Sequence, residues 1–468
     1  MTSAEMGGPR PARASLDPVA TREARAALRE ANLAFAGRYP GESAIPQPVH
    51  TLIEGAQHFT ARVAAQRGAQ ALRMLDDFAP DTATLGTALG ISTHVALDAV
   101  AQRVRDKLAR NPVEDYRIDF EDGYGVRADD QEDRDAVTVA AEIARGVRGG
   151  TLPGSIGLRI KPLTEELRER SVRTLDLLHT ALVEAGGLPS RWVITVPKIT
   201  VIEQVDYIVA VLASLERALG LADRTLVFEI MVEVPQVILG ATGTSLLPRM
   251  LDASDGRLTG IDFGTYDYTA GCNITAAHQR LRHPACDFAK HAIQVAFAGT
   301  GVRISDGSTQ LLPVPIHVEA ADGSPLTERQ RAENVAAVHA GWKLHFDDVR
   351  HGLSGGFYQG WDLHAAQLVS RYAAVASFFL EGVEVAGARL QSFLSKAESA
   401  SLVGGVLDEP ATGQGLLGFF LRGIQAGAIT EREAMHLTGL SAAEMRERSI
   451  LTIMRARGVL GAALDSPR

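Results

Sequence analysis

Apolar residues change their spacing along this chain in a steady rhythm. Short runs such as PVHTLIEG, DYRIDFED, SIGLRIKP, RWVITVPKI and TLVFEIMVEVP are dense in β-branched and aromatic residues, as strands are. Between them lie longer stretches whose apolar positions recur every three or four residues. ARVAAQRGAQALRMLDDF, HVALDAVAQRVRDKLAR, VTVAAEIARGVR, ERSVRTLDLLHTALVEAGG, VIEQVDYIVAVLASLERALGL, QVILGATGTSLLPRM and DFAKHAIQVAFAGTG read as helices on that spacing. LTGIDFGTYDYT reads as a strand and loop. VRISDG, LPVPIHV and QGWDLHAAQ supply further short strands or strand ends. Strands alternating with helices over short connections predict a parallel sheet. About eight such units between residues 49 and 370 fit a (β/α)8 TIM barrel better than an open sheet.

The rhythm differs at both ends. Residues 1–48 form an N-terminal extension rich in Ala, Arg and Pro, with one amphipathic run, TREARAALREANLAFAGRY, that predicts a helix. Beyond residue 370, RYAAVASFFLEGVEVAGARLQSFLSKAE, GQGLLGFFLRGIQAG and TEREAMHLTGL predict a helical C-terminal region over 371–468. Three regions are therefore expected: 1–48, 49–370 and 371–468.

Composition narrows the function classes. The chain has 468 residues, 46% hydrophobic and 22% charged, enough to bury a core without staples. A net charge of −9 leaves no electrostatic footprint for nucleic acid. No apolar run approaches the roughly 20 residues of a membrane span. The first residues carry arginines with no apolar stretch behind them, unlike a secretory signal. Two cysteines, Cys272 and Cys286, build neither a disulfide framework nor a thiolate metal site. A cytoplasmic protein is expected. No GxGxxG follows the first strand and no GxxxxGK[ST] occurs, so dinucleotide and P-loop readings have no support.

In a barrel of this kind the reactive groups stand at the C-terminal ends of the strands. Those ends carry Asp119, Glu121 and Asp122; Arg159 and Lys161; Lys198; Glu233; Asp267; and His364. Carboxylates ringed with Arg and Lys suit a hard divalent cation and an anionic substrate. Each residue also has a plainer reading. Arg159 alone is most simply an ion pair for Asp119 or Glu121, His364 a hydrogen-bonded structural histidine, and Lys198 a rim charge. Glu229, Met231 and Glu233 share one strand face, so Glu229 is the candidate for a buried, paired carboxylate.

The ordered set of motifs from about His50 to Gln367 resembles the citrate lyase β-subunit-like proteins of the HpcH/HpaI aldolase and citrate-lyase superfamily, with a phosphoenolpyruvate/pyruvate-type barrel. DFED is similar to their second-strand motif, LRIKP to their arginine strand, and VPKI to their LPKV. VEV and FGTYDY are similar to their metal-binding strand ends, and QGWDLHAAQ to their closing motif. The resemblance implies Mg2+, or Mn2+ in its place, held by Glu233 and Asp267. It implies Arg159 on the substrate carboxylate, Lys198 beside it, and Glu121, Asp122 and His364 around the substrate. GGVLDEPATGQ resembles their C-terminal acid/base segment and places Asp408, whose plainer reading is a loop or helix-capping residue. Three departures stand out. The first strand, VHTLIEGAQHF, lacks the Arg-Ser and Pro-Gly that help seat coenzyme A in the family. Ile160–Lys161 replace an Asn, and Ala365 replaces the Pro after His364.

The implied reaction makes or breaks a carbon–carbon bond in a 2-oxo or 2-hydroxy acid, with a coenzyme A thioester as one form of substrate. A coenzyme A-independent phosphoenolpyruvate/pyruvate enzyme and a non-catalytic binding protein on the same barrel are the alternatives. The resemblance also implies a homo-oligomer. A small carboxylic acid is the expected partner, with neither nucleic acid nor membrane.

Overall fold

The computed structural model describes residues 15–16, 19–91, 95–319, 324–395, 401–403, 406–408 and 410–458, with backbone alone over those of 401–411. Eight strands carry the architecture: β1 His50–Gly55, β2 Asp115–Asp119, β3 Ser155–Arg159, β4 Trp192–Val196, β5 Phe228–Val232, β6 Leu258–Phe263, β7 Arg303–Ser305 and β8 Gly360–Asp362. All are parallel, in the order β7-β6-β5-β4-β3-β2-β1-β8. A bridge between Ser308 and Trp361 joins the two ends of the sheet. The amides of Trp361 and Asp306 donate across the same joint, to Gly307 O at 3.3 Å and to Gln359 O at 2.8 Å. The sheet thus closes into the predicted (β/α)8 barrel.

Alternation along each strand sorts the side chains. Tyr116, Ile118, Leu158, Ile194, Ile230 and Phe263 turn outward and are buried in one apolar core under the helices. Each such side chain contributes about 1.5–3 kcal/mol by leaving water. The inward positions fall into three levels. Lowest is a buried polar plug, where Arg117 donates through Nε and Nη2 to Glu229 at 2.8 and 3.0 Å and through Nη1 to Asp115 at 2.6 Å. Glu229 is thus the buried, paired carboxylate that the strand pattern singled out. Above it Ile53 of β1, Trp361 of the neighbouring β8 and Met231 of β5 meet as an apolar plate. Above that plate stand the charged strand ends.

The polypeptide departs from the predicted elements in four places. LPVPIHV forms no strand, because Pro313 and Pro315 have no N–H to give a ladder. Instead the amides of Ile316 and His317 donate to the Asn334 side chain at 2.9 and 2.8 Å. That asparagine lies on the 27-residue helix Glu328–Ser354, which the apolar spacing did not reveal. Its start is fixed by a Thr327–Gln330 capping box. QVILGATGTSLLPRM splits into a turn, Pro235–Ile238, and a helix, Leu247–Ala253, around Gly240 and Gly243. The short helix Thr82–Leu89 was likewise absent from the apolar pattern.

The helix Gln367–Ser395 runs straight off the barrel into the C-terminal region. It is anchored by Asp362 at the end of β8. This carboxylate accepts from His50 at 2.8 Å, from His345 at 3.0 Å and from Arg371 at 2.7 Å, all buried. Arg371 holds the Asp362 carboxyl well below the usual range against the opposing effect of burial, and the two histidines act the same way. The N-terminal helix Arg22–Arg38, by contrast, buries no residue.

Candidate active site

Asp119 organises the mouth of the barrel. Its Oδ1 and Oδ2 accept from Arg159 Nε at 2.7 Å and Nη2 at 2.6 Å. The same oxygens accept the amides of Glu121 and Gly123, at 2.9 and 2.6 Å. A side chain at position 123 would have its Cβ 2.7 Å from Asp119 Oδ2, so this turn requires glycine. The turn sends Glu121 and Asp122 to different surroundings. Glu121 is buried beside Arg159 Nη1, 3.0 Å away, while the Asp122 side chain is 63% exposed.

Lys198, two residues after β4, lies across this cluster. Its ammonium pairs with Glu121, with Asp122 at 3.3 Å and with Asp267 at 3.6 Å. Its backbone has φ of 52°, and its amide donates to Glu233 Oε2 at 2.9 Å. Glu233 follows β5 and is 4% exposed. Burial pushes its carboxyl up to about 8; Arg159 opposes the rise, and Asp267 and Glu121 add to it. Burial also raises Glu121, against the pull of Arg159. A Cβ at position 264 would lie 2.1 Å from Glu233 Cγ, so the glycine just after β6 makes room for this carboxyl. Asp267 sits on the helix that follows, Thr265–Gly271.

Six predicted residues therefore converge: Glu121, Asp122, Arg159, Lys198, Glu233 and Asp267. Counting Asp119, five carboxyls face two cations, which leaves a surplus of negative charge at the barrel mouth. Glu121 Oε2 is buried, with the Arg159 Nη1 ion pair at 3.0 Å as its contact and no well-aligned hydrogen bond among the described residues. Oxygen donors and a surplus of carboxyls over cations fit a hard divalent ion. Among the described residues no three His, Cys, Asp or Glu side chains are arranged to hold one outright. Mg2+ does not require three, since it takes one or two carboxylates and fills its other positions with water and substrate oxygens. Glu233 and Asp267, with Asp119 and Asp122, open onto space.

That space is a cavity of about 750 Å3, lined by Asp119, Asp122, Arg159, Glu233 and Asp267. His364 lines it too, away from the acidic cluster, beside Gln70 at 3.3 Å. Its Nδ1 accepts the Ala366 amide at 3.1 Å, and burial lowers its pKa, so it is a neutral hydrogen-bonding group. Asp408 lies at the end of the ribbon strand Val406–Asp408, paired with Ser401–Val403, and its side chain lies outside the described residues. The strand-end pattern did not reveal Arg67 and Gln70, which reach the cavity from the helix Val63–Phe78. Nor did it reveal Tyr266 or the Trp361 ring. On an amphipathic helix, Arg67 and Gln70 look like any solvent-facing polar pair, so only the fold identifies them.

A closed (β/α)8 barrel with an acidic mouth defines the class of this molecule. Within it, the chain belongs to the family described as Domain of unknown function (DUF6986), whose model matches residues 28–453. No curated protein matches it in sequence. Among solved structures, a citrate lyase from Burkholderia xenovorans LB400 is 20% identical, with a TM-score of 0.51 over 72% of this chain and 91% of that one. The malate synthase of Haloferax volcanii is 14% identical, with a TM-score of 0.45 over 87% of this chain and 98% of that one. At such identities the citrate lyase likeness speaks for the fold alone.

Proposed function

We propose that this chain is a Mg2+-dependent carbon–carbon lyase or aldolase acting on a 2-oxo or 2-hydroxy acid. The surplus of carboxylates at the mouth of an open cavity carries this reading. Glu233 and Asp267 hold the ion, with Mn2+ as a substitute. When bound, the ion supplies a Lewis acid that polarises a carbonyl oxygen and stabilises negative charge on it. Arg159, fixed by Asp119 and paired with Glu121, orients the substrate carboxylate. Lys198 and Glu121 set the charge around that carboxylate, with Asp122 at the rim. His364 offers a neutral hydrogen bond to the far part of the substrate. Asp408 moves the proton on carbon or hydroxyl, the role its segment's resemblance suggests.

The cavity volume favours a second reactant larger than a small acid, and an acyl thioester such as a coenzyme A ester is one that fits this chemistry. Calorimetry with Mg2+ and oxalate, an enolate mimic, tests the core of the proposal. Oxalate should bind only with Mg2+, and Glu233→Ala and Asp267→Ala should each weaken binding by roughly a hundredfold or more. Full binding by either variant would refute the ligand assignment. A screen of 2-oxo acids with Mg2+, with and without an acyl thioester, then separates the two substrate forms.

A further inference from the structure

A second cleft, of about 910 Å3, lies at the end of the barrel where the strands begin. Its walls are the segment Pro40–Val49 before β1, the start of β7, one face of the helix Pro410–Gln425 and the start of the helix Ile450–Ala456. It shares no lining residue with the cavity at the barrel mouth. Its lining is apolar in Phe297, Val302, Ile304, Phe379 and Leu451.

The charges in this cleft run against those of the chain. Arg303, Arg422 and Arg448 line it with one acid, Glu42, in a protein of net charge −9, and Arg303 reaches from the cleft wall toward the buried Asp115 and Asp262 of the barrel interior. Arg422 pairs with Glu42 and stacks over Tyr358, 4.2 Å from the ring centre. Arg448 donates to Ala44 O at 3.3 Å. Arg303 donates through Nε to Thr259 O at 3.4 Å, while its Nη1 is buried with no hydrogen-bond partner among the described residues. The two buried carboxylates offset its charge, but that nitrogen keeps an N–H to give to an acceptor.

The helix Pro410–Gln425 adds an independent observation. Two of its glycines are demanded by packing: a Cβ at Gly413 would lie 2.5 Å from Phe393, and one at Gly423 would lie 2.5 Å from Ile429. Gly415 and Gly418 line the cleft and have no such reason. A Cβ at Gly415 meets nothing within 4 Å, and one at Gly418 meets only Arg422 Nη1 at 3.6 Å. Glycine weakens a helix interior, and alanine would fit at both positions. The bare backbone lets a bound molecule approach the helix closely.

We propose that this cleft is a second ligand site, for an amphipathic organic anion: an acidic head against Arg303 and Arg422, and a ring or medium-length acyl chain over the bare helix face. The site goes beyond the proposed lyase reading and does not depend on it.

The test uses the full-length protein and 8-anilinonaphthalene-1-sulfonate, an aryl anion that fluoresces when it enters an apolar site. One saturable site per chain is expected, displaced by octanoate and indifferent to Mg2+ with oxalate. Arg422→Gln, at a partly exposed residue, should weaken binding roughly tenfold or more. Gly415→Trp, which places bulk in the cleft, should abolish it, with the melting temperature of each variant as the control for folding. Absence of saturable binding, displacement by Mg2+ with oxalate, or full affinity in folded Arg422→Gln and Gly415→Trp proteins would overturn the proposal.

Discussion

Lys198 holds a left-handed backbone angle that costs a residue with a side chain about 1–3 kcal/mol. The angle lets one residue act on two sides: its amide meets Glu233 while its ammonium meets Glu121, Asp122 and Asp267. The ammonium therefore serves as counter-ion for carboxylates that a metal would also seek. An ammonium about 4 Å from a carboxylate is worth about 4 kcal/mol at an effective dielectric near 20. Lys198→Met should lower the melting temperature of the metal-free protein and raise its Mg2+ affinity by roughly tenfold. Calorimetry reads this directly, and weaker Mg2+ binding would show that the lysine supports the metal instead. Glu233 adds a pH dependence. Its folded carboxyl is raised from 4.5 to about 8, so the folded state binds that proton more tightly. This contribution to stability is full below about pH 4.5 and lost as pH rises through about 8. The metal-free melting temperature should fall across that window, and Mg2+ should restore it. Mg2+ affinity should rise with pH by up to about tenfold per unit over the same range.

Elements meet at a few contacts that leave no slack. Gly264 lets the end of β6 pass Glu233, so Gly264→Ala must push the carboxyl aside. Mg2+-dependent oxalate binding should drop by roughly a hundredfold while the melting temperature changes little. Asp362 joins β8 to the helix Gln367–Ser395 through His50, His345 and Arg371. Asp362→Asn leaves the buried Arg371 charge uncompensated, and urea unfolding should show a loss of about 3–5 kcal/mol. The barrel strands were legible in the sequence because they are short runs dense in β-branched and aromatic residues, as in Trp192–Val196, and β2 also alternates polar and apolar from Asp115 to Asp119. The acidic mouth was legible because its residues cap those strands. The helix Glu328–Ser354 was harder to read: His345, Asp348 and Asn334 are buried and polar, which breaks the apolar stripe. Arg67, Gln70 and the Asp362 clamp depend on contacts between distant segments, which no local pattern records.

At the scale of the whole molecule, barrel and C-terminal helices share one apolar core, from Leu52 in β1 to Met454 in the helix Ile450–Ala456. A single cooperative transition is therefore expected in calorimetry. Two separate transitions would show that residues 371–468 fold as a unit of their own. The joint between β7 and β8 has further consequences. Elsewhere around the cylinder, strands share ladders of three to five paired residues, but here one bridge and two amide bonds suffice. Ser308 and Gln310 on one side of this joint and Trp361 on the other all line the cavity at the mouth. A bound substrate therefore lies across the least tightly stitched line of the barrel and acts on it as a clasp acts on a ring.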